Sequence, residues 1–188
     1  MSEFGAGDSV RVRAERFLKE CGAEDIPHPG GTLLAHLGRV ADALAEWGAT
    51  TDIQLAGLCH AVYGTDGFDR WLLDPADRHR MVELIGEHAE ALVYLYGSCD
   101  RTTVYPRLTA TPVLFRDRFT GREFEPDDAE LRAFLELTAA NELDVMAHNA
   151  ELAAKHGAAL FGLFEQTRNY LSPRAWSACR AQLGSAAS

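Results

Sequence analysis

Apolar residues recur at helical spacing along most of the chain. Leu37, Val40 and Leu44 belong to one such run, which lies between Thr32 and Gly48. Because residues three and four positions apart share one helix face, the run predicts an amphipathic helix that a glycine ends. The same pattern predicts further helices over about residues 9–19, 51–63, 68–73, 74–97, 126–146 and 150–170 and from residue 172 onward.

Residues 113–124 are the one stretch with strand-like character. Thr120 and Gly121 favour a turn between apolar residues that include Phe115 and Phe124. A turn flanked by such residues predicts a small β-hairpin. The expected fold class is therefore an all-α helical bundle with a β-hairpin insertion near 113–124.

The composition limits the class of protein. The chain has 188 residues, of which 47% are hydrophobic and 24% charged, as in one ordinary globular domain. We expect that domain over residues 1–183, followed by a disordered tail at 184–188. A formal charge of −10 disfavours a nucleic-acid partner. The sequence shows neither a membrane-spanning apolar run nor a secretory signal, which predicts a cytoplasmic protein.

Three histidines mark the best candidate site. His28 and His36 flank the start of one predicted helix, and His60 lies near the end of the next. Pockets often form where helix ends meet glycine-bearing loops. Imidazole is the commonest protein metal ligand and a ready acid or base near neutral pH. Each histidine taken alone is also typical of a hydrogen-bonded core or loop residue, so the argument depends on the three together.

The surrounding motifs resemble those of a known superfamily. Leu34-Ala-His36-Leu-Gly-Arg-Val-Ala, followed by Leu55-Ala-Gly-Leu-Cys-His60, is similar to the opening of HD-domain proteins. These are all-α proteins, among them metal phosphohydrolases and some diiron oxygenases. They use a histidine on a first core helix, a His-Asp pair at the end of the next, and a later aspartate. The resemblance covers about residues 33–143 and implies that His36 and His60 bind metal.

The chain departs from that superfamily at Ala61, which stands where the aspartate of the pair is expected. It is most similar to an uncharacterised HD-like family in which the histidine precedes a small residue and then Tyr-Gly-Thr. Here that motif reads His60-Ala-Val-Tyr63-Gly-Thr65. The resemblance supplies no established activity.

Two residues compete for the later ligand position. One alignment resembles the Ala-Asp-Arg-Leu-His pattern of guanosine tetraphosphate hydrolases and selects Asn141. The other resembles the Asp-Leu-Tyr pattern of inositol oxygenases and selects Asp144. With Asp144, the two histidines form a set that suits one Fe, Mn or Zn ion. With Asn141, no tightly bound metal is expected, and His28 or His60 acts as an acid or base. An exposed helical Asp144 is the plainer alternative.

Other polar residues complete the predicted site. Arginines near a histidine pocket bind phosphate or carboxylate through forked hydrogen bonds, although a helix cap with a structural Asp100–Arg101 pair also fits that segment. The predicted substrate-binding residues are Asp100, Arg101, Arg107 and Asn141. The predicted catalytic residues are His28, Tyr63, Asp66 and Glu142. The predicted metal ligands are His36, His60 and Asp144.

These features together predict a small-molecule enzyme, with metal-assisted hydrolysis of an anionic substrate as the leading reaction. A mononuclear iron oxygenase of HD-like type is one alternative. The other is a metal-free HD-like module that binds a ligand or a partner without catalysis, which Ala61 supports. No membrane partner is expected. The aromatic residues of the hairpin and of the helix that carries Phe161 are compatible with a homodimer and equally with packing inside one chain.

Overall fold

The structure, a computed structural model, describes residues 9–68 and 70–184. The helices of these residues are α1 (Val10–Glu20), α2 (Leu33–Trp47), α3 (Thr51–Cys59), α4 (Arg78–Ile85), α5 (Glu87–Ser98), α6 (Arg101–Val104), α7 (Asp128–His148), α8 (Ala150–Gln166) and α9 (Pro173–Leu183). The strands are β1 (Pro27–His28), β2 (Gly31–Thr32), β3 (Phe115–Arg116) and β4 (Glu123–Phe124). The predicted all-α class with a small β insertion is confirmed. The predicted tail lies outside the described residues, apart from Gly184.

Two short hairpins interrupt the helices. In the predicted one, Phe115 of β3 pairs with Phe124 of β4. The other was missed: β1 and β2 form a ribbon in which His28 pairs with Gly31. Its turn consists of a proline followed by Gly30, whose φ of 79° suits the second central position of a type II turn. Two residues per strand are too few for the alternating pattern that predicts strands.

Some helix predictions were wrong in their extent. The single helix expected over 74–97 is two helices, because Gly86 has φ 89° and ψ 160°, which no α-helix accommodates. A short 3-10 turn at Pro75–Asp77 precedes them. The described residues of 68–73 form no helix, and α8 ends at Gln166 instead of reaching Tyr170.

The core is built around α2 and α3. These helices pack against each other, with α7 against α2 and α5 against α3. Gly57 allows the close approach, because a side chain there would clash with Leu44. Leu37 and Leu58 are almost fully buried in the core. No helix among the described residues is long and apolar enough to span a membrane.

Helix ends place the candidate residues. Thr32 caps α2 by accepting a hydrogen bond from the Ala35 amide at 3.2 Å, one residue before His36. Cys59 is the last residue of α3, so His60 stands directly at its C-terminal cap. Since α7 packs on α2, its second half lies beside both histidines.

Candidate functional site

A cavity of about 660 Å³ lies between the ribbon, α2, the end of α3, α6, α7 and α8. Its polar lining residues are His28, His36, His60, Thr65, Asp66, Arg101, Tyr105, Asn141, Glu142 and His156. Its apolar wall includes Leu33, Phe68, Val145, Met146, Leu152, Ala159, Leu160 and Leu163. Most of the predicted site residues are therefore brought together.

The three predicted histidines contact one another. The His28 ring stacks on His36 with centroids 4.0 Å apart and an interplanar angle of 27°. His60 meets the other side of His36 edge-on at 5.2 Å. His36 and His60 are 1% and 2% exposed, so this contact lies in the protein interior.

Both ring nitrogens of His36 are engaged. Nδ1 lies 2.6 Å from Oδ2 of Asp144, and Nε2 lies 3.1 Å from Oδ1 of Asn141. The amide nitrogen of Asn141 donates to Oε1 of Glu142 at 3.1 Å, which turns its oxygen toward His36. A carboxylate and an amide oxygen both accept, so both nitrogens of His36 donate.

Asp144 is the anionic partner of His36 and Arg39. Nε of Arg39 donates to Oδ1 at 2.6 Å and Nη2 donates to Oδ2 at 2.9 Å, a forked pair. Burial alone raises the pKa of Asp144, but the hydrogen bonds from His36 and Arg39 outweigh it and lower the pKa to about 2. Asp144 thus stays ionised and holds His36 in place.

His60 has the opposite character. Its Nδ1 donates to the main-chain oxygen of Gly57 at 2.7 Å, so Nε2 carries the lone pair when the ring is neutral. Burial and the charge on His36 lower the pKa of His60 to about 3. Burial and the same charge lower the pKa of His28 to about 4. His28 and His60 are therefore both neutral at pH 7.

Arg101 organises the polar residues beside His60. Its amide donates to Oδ2 of Asp66 at 2.8 Å. Its guanidinium donates to the Tyr96 hydroxyl at 2.8 Å and to Oε1 of Glu142 at 3.3 Å. The same guanidinium carbon lies 5.9 Å from the centre of the Tyr105 ring. Asp66, Glu142 and Tyr105 thus meet around one cation at the cavity wall.

The predicted metal ligands do not fit a metal ion in this arrangement. A ligand must offer a lone pair, but both ring nitrogens of His36 are engaged by Asp144 and Asn141, and the Asp144 carboxylate is engaged by His36 and Arg39. Ala61 lines the cavity and has no donor atom. The described residues contain no group of three or more His, Cys, Asp or Glu side chains that could hold a metal. Metal binding stays a prediction, and it requires the ion pairs of Asp144 to break first.

Four predicted site residues lie outside the cavity lining: Asp144, whose ion pairs are described above, and three others. The Tyr63 hydroxyl donates to Oε1 of buried Glu90 at 2.8 Å. Asp100 caps the N-terminus of α6 by accepting from the Thr103 amide at 2.9 Å, and its carboxylate lies 3.6 Å from Nε of Arg116 instead of pairing with Arg101. Arg107 pairs with Glu123 at 2.8 Å on the surface. These three side chains already have protein partners, and none of them lines the cavity described above.

The sequence prediction did not include Arg39, Tyr105 or the apolar face of α8 that lines the cavity. Arg39 lies three residues after His36, on the same face of α2, and that spacing was an available signal. Tyr105 follows the Arg101 segment directly. For α8, the apolar spacing predicted the helix but not which neighbour its face would meet.

Residues 17–101 match a family model described as "Domain of unknown function (DUF6817)". The matched segment reaches from α1 to the first residue of α6, so it contains the three histidines and Arg101. Tyr105 and the cavity walls from α7 and α8 lie beyond it. No curated protein and no solved structure matches the chain.

Proposed function

We propose that the cavity binds a small organic anion and that the protein hydrolyses this substrate without a metal. Two buried polar atoms support binding. Within the described residues, only Nδ1 of His28 and the hydroxyl of Tyr105 are buried side-chain polar atoms without a hydrogen-bond partner, and both residues line this cavity. Buried polar atoms are normally paired, and each unpaired one costs about 1–3 kcal/mol. A ligand in the cavity supplies the missing partners.

The charge of the ligand is inferred from Arg101. A guanidinium has five N–H donors, and the contacts with Tyr96 and Glu142 use two of them. No other described residue accepts from this guanidinium. A carboxylate of the ligand accepts from the remaining donors and from Tyr105.

The reaction is inferred from His60. Its Nε2 lone pair has no described hydrogen-bond partner, while Nδ1 is fixed by Gly57. A bound anion beside the ring favours the protonated form and makes Nε2 a better base. His60 then takes a proton from water as the water oxygen attacks the substrate, and returns the proton to the leaving group as the scissile bond breaks.

We also propose that the helices form an HD-like frame. In support, His36 on α2, His60 at the end of α3 and Asn141 on α7 lie around one cavity, as the resemblance implies. Ala61 lines the same cavity in place of the aspartate. Within that frame, the metal-free version of the predicted function agrees best with the partners of His36 and Asp144.

Calorimetry with EDTA-treated protein and butyrate as the probe tests the binding. Tyr105→Phe removes only the unpaired hydroxyl, so we expect it to weaken butyrate binding about fivefold, which corresponds to one hydrogen bond of about 1 kcal/mol. Tyr170→Phe is the matched control, because Tyr170 lies outside the cavity lining. Failure of butyrate to bind, or equal effects of the two substitutions, contradicts the proposed site.

The hydrolytic step has its own readout. The anionic ester mono(4-nitrophenyl) glutarate releases 4-nitrophenol, and we expect turnover by EDTA-treated protein to fall at least tenfold in His60→Gln while butyrate still binds. Butyrate binding without turnover of this ester contradicts hydrolysis and leaves the binding site standing. Turnover that appears only on adding a metal ion contradicts the metal-free mechanism.

A further inference from the structure

We infer that the anion carries an apolar chain of medium length, which lies along α8; this inference rests on the proposed binding function. Four of the five cavity-lining residues of α8 are apolar, and His156 is the polar one. They recur at intervals of four, three, one and three residues, which places them on one helix face. They are Leu152, His156, Ala159, Leu160 and Leu163.

The polar and apolar ends of the cavity are continuous along α7. Asn141 and Glu142 line the polar end, and Val145 and Met146 line the next stretch. Each apolar residue follows its polar counterpart by four positions, so it lies one turn further along the same face. The cavity wall therefore changes from hydrogen-bonding to apolar within one helical turn. A ligand that satisfies both ends has a polar head joined directly to an apolar part.

The length of the apolar wall favours a chain over a compact group. The lining residues of α8 run from Leu152 to Leu163. At 1.5 Å per residue, these eleven steps extend over about 16 Å. Leu152 and Leu163 are only partly buried and Ala159 is exposed, so this face is not closed by the protein's own packing. Covering it with an apolar chain removes that surface from water.

A series of straight-chain carboxylates tests the inference by calorimetry. Each methylene that becomes fully buried contributes about fourfold in affinity, the equivalent of about 0.8 kcal/mol. We expect affinity to rise from butyrate through hexanoate and octanoate to decanoate, with decanoate at least 30-fold tighter than butyrate. Decanol, which lacks the carboxylate, is expected to bind at least tenfold more weakly than decanoate.

Ala159→Phe locates the chain. The new ring fills the apolar part of the cavity, so we expect decanoate to lose most of its advantage over butyrate. Ala158→Phe is the matched control: it is equally exposed, adjacent and outside the cavity lining. We expect this control to leave both affinities unchanged. Thermal unfolding of both variants checks that each is folded.

The outcomes separate this inference from the proposed function. If butyrate binds and depends on Tyr105 but affinity does not rise with chain length, the apolar chain is wrong and the anion site stands. If no carboxylate binds, the proposed function itself is wrong. Equal binding of decanol and decanoate contradicts the anionic head. Equal effects of Ala158→Phe and Ala159→Phe contradict the position along α8.

Discussion

Two polar clusters lie in the interior of this small helical protein, and they differ in how completely their atoms are paired. The closed cluster consists of Tyr63, Arg78, Glu90, Tyr94 and Asp117. The open cluster consists of His28, His60, Arg101, Tyr105 and Glu142. Only the open cluster lines the described cavity.

In the closed cluster, hydrogen bonds satisfy both carboxylates. Glu90 is 2% exposed; its Oε1 accepts from Tyr63 and from Nε of Arg78, and its Oε2 accepts from Nη2 of Arg78 at 2.7 Å. The Arg78 guanidinium lies 3.7 Å from the centre of the Tyr94 ring, and the Tyr94 hydroxyl donates to Asp117 at 2.9 Å. Such a network holds elements together and leaves nothing for a ligand to satisfy.

The open cluster also contains tyrosine, arginine and carboxylate side chains, together with two histidines, but it leaves atoms unpaired. The Tyr105 hydroxyl and Nδ1 of His28 are buried without partners. The comparison teaches that burial of tyrosine, arginine and carboxylate side chains is not by itself a sign of function. The distinguishing feature is an unpaired atom that faces a cavity.

The largest expected loss of stability follows a substitution in the closed cluster. Glu90→Ala leaves Arg78 and Tyr63 without their acceptor, and removing one partner of a buried ion pair is strongly destabilising. Because Arg78 is 39% exposed, we expect a loss near the lower end of the range for buried ion pairs. Urea titrations should show a decrease of about 3 kcal/mol in the free energy of unfolding. Glu90→Gln preserves the shape and is expected to lose less. A loss below about 1 kcal/mol for Glu90→Ala means that the cluster does not stabilise the fold.

A second effect on stability arises from Asp144, which pairs with His36 and Arg39 beside the open cluster. The folded-state pKa of Asp144 is about 2, below its ordinary value of 3.8, so the unfolded chain binds the proton more tightly. The carboxylate therefore stabilises the fold above about pH 4, and this stabilisation is lost as the pH falls toward 2. The difference corresponds to about 2 kcal/mol.

Urea titrations at several pH values measure that effect. We expect Asp144→Asn to lose about 2 kcal/mol at pH 7 and to show a flatter decline in stability between pH 4 and 2. Asp42→Asn is the control, because Asp42 forms only an exposed pair with Arg11. A variant that keeps the wild-type decline shows that Asp144 is not the group that titrates.

The smallest effects have opposite signs in the two clusters. Tyr63→Phe removes a hydroxyl that donates to Glu90, so we expect it to lower stability by about 1 kcal/mol. Tyr105→Phe removes an unpaired buried hydroxyl, so we expect it to raise stability by about 1 kcal/mol without ligand. Thermal unfolding of the two variants side by side gives the signs. Destabilisation by Tyr105→Phe means that its hydroxyl has a partner and removes the distinction between the clusters.

The sequence predicted the fold well where helix signals agree. Over α2, apolar periodicity and the final glycine point to the same boundaries, and Gly48 indeed adopts a left-handed φ of 83°. At Gly86 the signals conflict, because the apolar spacing continues across the break between α4 and α5. A single glycine inside a periodic run does not reveal that its ψ leaves the helix.

The sequence indicated which histidines would lie together, but it did not indicate which hydrogen bonds their rings would form. Helix ends correctly suggested that His28, His36 and His60 would meet. The helical spacing of Asn141 and Asp144 placed both residues on one helix face. It could not show that Asp144 contacts Nδ1 of His36 while Asn141 contacts Nε2. Tyr63 was placed in the site because of its nearness in sequence to His60. The chain turns after α3 and directs its hydroxyl to Glu90 instead.

The hydrogen bond between His36 and Asp144 joins residues 108 positions apart, and α8 lies further along still. The cavity is therefore assembled only when α7 has docked on α2 and α8 on α7, and local fraying of either helix dismantles it. Any ligand it holds binds the native state and not the unfolded chain. At a concentration one hundred times its dissociation constant, such a ligand adds about 2.7 kcal/mol to global stability. The melting temperature of the whole protein thus reports occupancy of this one cavity.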